Sequence, residues 1–312
     1  MLRNNKPEAD ALPEPDAGQA PIHAGTLLWV LLLIILWAAN AVVVKVTIRD
    51  IPPLWAAFLR FAPALPCVML FMRWNGSGFS LRRHEFFPVF LLGLLMALQL
   101  FTFNLGAAYT TGGRITLFIF SYPLLVPLLA PLFIQAERFE KRNLLGCLVA
   151  FAGLSIAFRD SLGLQSVSTL KGDVIEFISC LLIAVQIVYN KRLAVSINKW
   201  KLLLWTYGVM ILFFFCGALM FEDFNIHAVR PDAWLALAFQ SLVISVFSFM
   251  SWQYLIVRHN SSSLSVFFFA TPLFGMFLGA LLLNEAIEPG LVVACILVGF
   301  GIYIVNRKQR PV

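Results

Sequence analysis

Apolar residues run through this chain in long blocks, and the polar positions between them fall into short clusters. Ten blocks recur, over about residues 26–48, 53–73, 86–108, 113–134, 142–159, 171–192, 200–220, 233–257, 261–284 and 288–306. Each is close to the ~20 apolar residues that a helix needs to cross a hydrocarbon core of about 30 Å. The pattern therefore predicts an all-α integral membrane protein with ten transmembrane helices. Residues 1–25 break it: Pro7, Pro13, Pro15 and Pro21 alternate with Glu8, Asp10, Glu14 and Asp16. A stretch so poor in large apolar side chains buries too little surface to fold and is expected to be a disordered cytoplasmic tail. The apolar run that follows comes too late and is too long for a secretory signal.

Composition agrees with the blocks. Of 312 residues, 60% are hydrophobic and only 12% charged, about half the charged share of an ordinary soluble domain. The formal charge of +7 invites the idea of an acidic partner, but its distribution argues otherwise. With the N-terminus in the cytoplasm, 16 of the 23 Lys and Arg fall on the inner side and five on the outer, leaving Lys45 and Arg60 within spans. That bias is the positive-inside rule and favours an even number of spans, with both termini inside. The basicity reflects topology and gives no reason to expect nucleic acid.

The two halves resemble each other. "FSYPLLVPLLAPLFIQAERFEKRNLLGCLVAFAGLSIAFR" aligns with "FATPLFGMFLGALLLNEAIEPGLVVACILVGFGIYIVNR", setting Pro123 opposite Pro272, Glu137 near Glu285 and Gly153 opposite Gly301. Upstream, "WAANAVVVK" matches "IAVQIVYNK". Two repeats of five helices follow, 26–159 and 171–306, with a linker over 160–170 and a cytoplasmic tail over 307–312. An odd number of spans per repeat inverts the second against the first, an arrangement common among secondary transporters. Glu137 then faces the cytoplasm and Glu285 the outside.

The duplicated five-helix unit, the first-span pattern W-A-A-N-x-V-x-x-K, "LRF" in the second span and the Pro–Glu–Gly order of the fourth and fifth resemble the EamA family of the drug/metabolite transporter superfamily. The resemblance covers about residues 26–307. It departs at "FIQAERFEKR", which lacks the Gly-Glu pair often seen there. It implies a protein that moves small metabolites, often amino acids, mostly outward across a bacterial inner membrane.

Charge within a span is costly and marks a functional position by default. Lys45 lies four residues before Arg49 and either snorkels to the interface or lines a cavity. Arg60 lies seven residues after Pro53, roughly 10 Å deep at 1.5 Å per residue. Its planar fork suits a carboxylate or phosphate, unless a fixed ion pair occupies it. Glu176 is the expected partner for either cation, or a proton carrier for coupling. The second-repeat match of Lys45, Lys191, falls at the cytoplasmic end, where it reads as part of the topology signal.

Asn40, Gln99, Tyr122, Gln186, Tyr207, Ser245, Ser248 and Trp252 complete a predicted mixed polar and apolar lining for a small-molecule substrate, of the kind ligand sites use. Small polar residues also mediate helix packing in lipid, and that reading stays open for each. Pro123, Pro127 and Pro131 recur every four residues and should bend the fourth span; with Pro272 in the ninth they are candidate gating elements. The five cysteines lie inside apolar runs with no metal-type spacing, and the four histidines lie in tails or loops. No nucleotide-binding G-x-x-x-x-G-K-[ST] or zinc-binding H-E-x-x-H occurs. No enzyme, cofactor, metal or ATP is therefore expected, and the protein should be a monomer or weak dimer. The leading function is secondary active export of small amphipathic metabolites by alternating access. Exchange of organic anions or phosphorylated metabolites, and a non-transporting membrane sensor or assembly protein, are the alternatives.

Overall fold

Inside a bilayer every backbone N–H and C=O must find a partner within the chain, and an apolar run meets that demand by becoming a helix. A computed structural model describes residues 22–107, 109–110, 112–135, 137–159, 167–283 and 289–307. The predicted tail and linker lie mostly outside these residues, as do Glu285 and the side chain of Lys45.

The described residues form ten helical rods. The first is α1 (Ala24–Thr47); the second joins α2 (Pro53–Phe61) to α3 (Ala64–Trp74); the third is α4 (Arg83–Ala107). The fourth joins α5 (Gly112–Ile119) to α6 (Tyr122–Phe133), and α7 (Lys141–Ala157) is the fifth. In the second half, α8 (Val167–Leu193) and α9 (Lys199–Phe221) are continuous. The eighth rod runs α10 (Pro231–Phe239), a π-helix over Gln240–Ser248 and α11 (Phe249–Arg258). The ninth runs α12 (Ser261–Ser265), a 3₁₀ turn over Val266–Phe269 and α13 (Ala270–Leu283), and the tenth is α14 (Pro289–Asn306).

Local chemistry explains the limits. Pro53 and Pro231 stand at the first helical position, where their missing N–H costs nothing. Asn198 and Asn260 cap α9 and α12 by accepting from Trp200 N and Ser263 N. Pro63 separates α2 from α3.

Among the described residues, seven segments are long and apolar enough to cross a membrane: Pro53–Trp74, Arg83–Gly106, Arg114–Phe133, Thr169–Leu193, Lys199–Phe221, Pro231–Arg258 and Ser261–Leu278. Ala24–Asn40 and Val292–Asn306 are shorter apolar helices, and α7 has 17 residues. Apolar side chains such as Leu132, Leu212 and Ile296 point away from the protein, as a lipid-facing surface requires.

Matching rods of the two halves touch one another. α2 packs on α9, α6 on α12 and, most extensively, α7 on α14. The last contact is close because glycines face it: a Cβ at Gly146 would lie 2.7 Å from the Gly301 carbonyl oxygen, and one at Gly153 would lie 3.0 Å from that of Ala294. Small residues that let helix backbones approach are the usual means of packing in lipid.

Candidate substrate site

Arg60 closes α2 and reaches across to the π segment, donating from Nε to the Ser245 hydroxyl at 2.8 Å. Tyr207 on α9 donates its hydroxyl to the backbone carbonyl of the same Ser245. A π turn leaves its carbonyls directed away from ordinary i−4 pairing, and such turns frequently mark functional positions. Here it lets one residue accept from two helices at once. Ser248 satisfies its own hydroxyl within the segment by donating to Val243 O at 2.9 Å.

The guanidinium carbon of Arg60 stands 5.1 Å from the ring centre of Phe61 and 6.0 Å from that of Phe249, within cation–π range. From there aromatic rings continue without a gap. Phe61 meets Tyr207 at 5.0 Å and Phe249 at 6.4 Å, and Phe249 meets Trp37 at 6.0 Å. Trp37 meets Trp252 at 6.0 Å and Phe268 at 4.8 Å, and Phe268 meets Tyr122 at 6.1 Å. The wall draws on six rods, so only the folded bundle assembles it. The Arg60 side chain is half-buried, and among the described residues it pairs with no carboxylate. It is a fixed cation beside an apolar wall, with donors left over.

The other predicted lining residues divide. Asn40 Oδ1 and Gln186 Oε1, at matching places in the two halves, are buried without a hydrogen-bond partner among the described residues. Asn40 sits one turn beyond Trp37 on α1. Gln186 sits one turn before Asn190, whose amide exchanges hydrogen bonds with Gln253 of α11 at 2.7 and 3.1 Å. Gln99, by contrast, is spent on packing: its Nε2 donates to Ser179 Oγ at 3.1 Å and its backbone carbonyl accepts from that hydroxyl at 3.0 Å, tying α4 to α8.

The prolines lie just beyond irregular points in their rods. Pro127 and Pro131 lie inside α6 and Pro123 near its start, while the rod breaks ahead of them at Phe120–Ser121. The matching rod is irregular as well, with its 3₁₀ turn ahead of Pro272.

Two corrections concern charge. Glu176 does not pair with Arg60: it is completely buried between α8 and α4, and neither carboxyl oxygen has a partner among the described residues. Its neighbour on α8, Asp173, holds the ion pair instead, accepting from Arg114 Nε at 3.0 Å and Thr110 Oγ1 at 2.7 Å. Lys191 is also more than a topology signal. It is buried in an ion pair with Glu137 at 2.5 Å, and it donates to the His259 carbonyl. Glu137 further accepts from Ser261 N at 2.9 Å and from the Ser261 hydroxyl, so the acid caps α12 while neutralising α8. The repeat alignment matches Glu137 with Glu285 and Lys191 with Lys45, so it carries no signal for this pairing.

Long apolar helices, a cation beside an aromatic wall and halves that repeat in sequence are features a membrane transporter would have. Known proteins agree: the model of the EamA-like transporter family matches residues 24–159 and again 170–307, and the chain belongs to that family. An uncharacterized transporter of Archaeoglobus fulgidus is 26% identical over 291 residues, 93% of this chain and 100% of its own. A probable amino-acid metabolite efflux pump of Escherichia coli K12 is 24% identical over 300 residues, 88% of this chain and 92% of its own. One solved crystal structure, 20% identical, has the same fold, with a TM-score of 0.76 over 89% of this chain and 96% of its own.

Proposed function

We propose that the protein is a secondary transporter that exports small amphipathic metabolites, amino acids first among them, by alternating access. In this reading ten spans form two inverted repeats, with both termini in the cytoplasm of a bacterial cell. The substrate's carboxylate docks on Arg60 and its apolar part lies against Trp37, Phe249, Trp252 and Phe268. The observation that carries this is the guanidinium of Arg60, held by Ser245 through one nitrogen and left without a carboxylate among the described residues. An interior cation needs an anion, since isolated charge in a low-dielectric site is expensive. An arriving carboxylate meets that need with a bidentate pair. The name of the Escherichia coli relative supports amino acids as the first class to test. Asn40 and Gln186 supply acceptors suited to an ammonium group, Tyr207, Ser245 and Ser248 hold the π segment, and the broken rods at Pro123 and Pro272 are where the repeats would flex.

Counterflow in liposomes containing the full chain tests the reading with labelled L-leucine, L-phenylalanine and L-threonine supplied separately. Wild-type protein should exchange at least one, and Arg60→Ala should lose that exchange while remaining folded. Exchange by Arg60→Ala at the wild-type rate would remove Arg60 from the site. No exchange of any of the three by folded wild type would end the amino-acid reading.

A further inference from the structure

We propose that Glu176 is the proton-binding site that couples transport to a pH gradient, an inference that rests on the transport reading above. Helix α8 carries two acids three residues apart, which places them on one face. The first, Asp173, is saturated by Arg114 and Thr110. Arg114 is thereby committed, and among the described residues no other cation is paired with Glu176: Lys171 is set over the Tyr109 ring and Arg83 lies at the far end of α4. Glu176 has zero exposure and two unbonded carboxyl oxygens.

The niche around it is shaped for a carboxyl. Gly106 of α4 lies directly against it: a Cβ there would fall 2.7 Å from Oε1 and 2.9 Å from Cδ. Only glycine leaves that space, and glycine brings no donor to fill it. The other groups can be named helix by helix. From α8 itself come Asp173 and Cys180, with Lys171 nearer the end and set over the Tyr109 ring. From α5 comes Arg114 and from α6 Tyr122, which faces Cys180. The titratable residues of α4, Arg83, His84 and Glu85, are at its opposite end, and α12 has none.

A carboxylate sealed there without a cation would carry the full cost of desolvation, unrelieved by any ion pair. A neutral carboxyl carries far less. The site therefore closes on Glu176 with a proton and opens to release it. While the α4–α8 contact is open, one carboxylate oxygen takes a proton from water and an O–H bond forms. After the bundle turns over, the same bond breaks and the proton passes to water on the other side. Nothing else is consumed, so one proton moves against one substrate. Glutamine at this position would fill the same space permanently neutral, so packing alone does not explain an acid here.

The full chain in liposomes, probed with the same three labelled amino acids, separates the outcomes. Wild type should show counterflow at equal pH and net flux raised several-fold by an imposed pH gradient. Glu176→Gln should keep counterflow and lose the gradient effect, and Glu176→Asp should retain part of it. Wild-type counterflow with no response to the gradient, or Glu176→Gln responding like wild type, overturns the proposal and leaves the transporter reading intact. Absence of counterflow overturns the transporter reading instead, and an infrared titration then decides the proton site by itself. A protonated-carboxyl band that vanishes on alkalinisation in wild type, is absent from Glu176→Gln and is shifted in Glu176→Asp supports it. Spectra that are the same in all three proteins overturn it.

Discussion

Glu137 and Lys191 meet at 2.5 Å with side-chain exposures of only 2% and 5%. Such a pair is tolerable because both ends are further bonded, Glu137 by Ser261 and Lys191 by the His259 carbonyl. Removing one partner strands the other. Glu137→Gln should therefore cost about 3–5 kcal/mol of stability, and an uncharged Glu137→Gln/Lys191→Met pair clearly less. Thermal unfolding in detergent, followed by tryptophan fluorescence, checks this. A double variant as unstable as the sum of the two singles would show that the pair is not energetically coupled.

Tyr207→Phe should raise the substrate concentration needed for half-maximal exchange more than it lowers the maximal rate. The tyrosine hydroxyl anchors the Ser245 carbonyl, and the Ser245 hydroxyl anchors Arg60. Its loss leaves a buried acceptor unbonded, worth about 1–3 kcal/mol. Concentration-dependent counterflow measures it; equal loss of rate at saturating substrate would indicate general damage to the fold.

Much of the bundle is legible in the chain because lipid imposes so simple a rule. Apolar runs coincide with rods, and Pro53 and Pro231 mark starts by chemistry that needs no tertiary context. What could not be read is pairing. Arg60 and Glu176 are each unusual in sequence, and proximity in depth suggests a bond between them, yet Arg60 turns to Ser245 and Glu176 turns to Gly106. Which way a side chain faces depends on helix rotation, and nearly uniform apolarity around a buried helix leaves rotation unmarked. The π segment was invisible for a related reason. It holds neither proline nor glycine, and the bonds that tie it in run to α1, α2 and α9.

Gly301→Ala should weaken the α7–α14 contact by about 1–3 kcal/mol through overpacking. The added Cβ would lie 2.4 Å from the Gly146 carbonyl oxygen and 2.8 Å from the Ala150 backbone nitrogen, neither of which is a flexible side-chain end. Gly299→Ala, two residues away and with open space at its Cβ, is the control and should be nearly neutral. Comparing the melting temperatures of the two variants decides it.

Outside the spans, the Arg230 guanidinium donates from Nε to Asp50 at 2.9 Å and holds its carboxyl below the usual carboxylate range. A group whose folded-state pKa is depressed stabilises the fold above its unfolded value, about 3.9 for Asp, and loses that contribution as pH falls through the folded value. Asp50→Asn should thus melt slightly below wild type at neutral pH, and the difference should vanish in strong acid. A gap that persists unchanged at low pH would assign the effect to the hydrogen bond from the Arg230 backbone alone.

The π-helix has an arithmetic consequence. Each π turn takes up about one residue more than an α turn, and one residue is about 100° of rotation. Everything from Phe249 onward is therefore out of phase with α10. Phe249 and Trp252 face Trp37 because of how many residues precede them, as much as because they are aromatic. Removing a single residue between Gln240 and Ser248 would leave every side chain of the wall in place in the sequence and turn the wall itself toward a different neighbour.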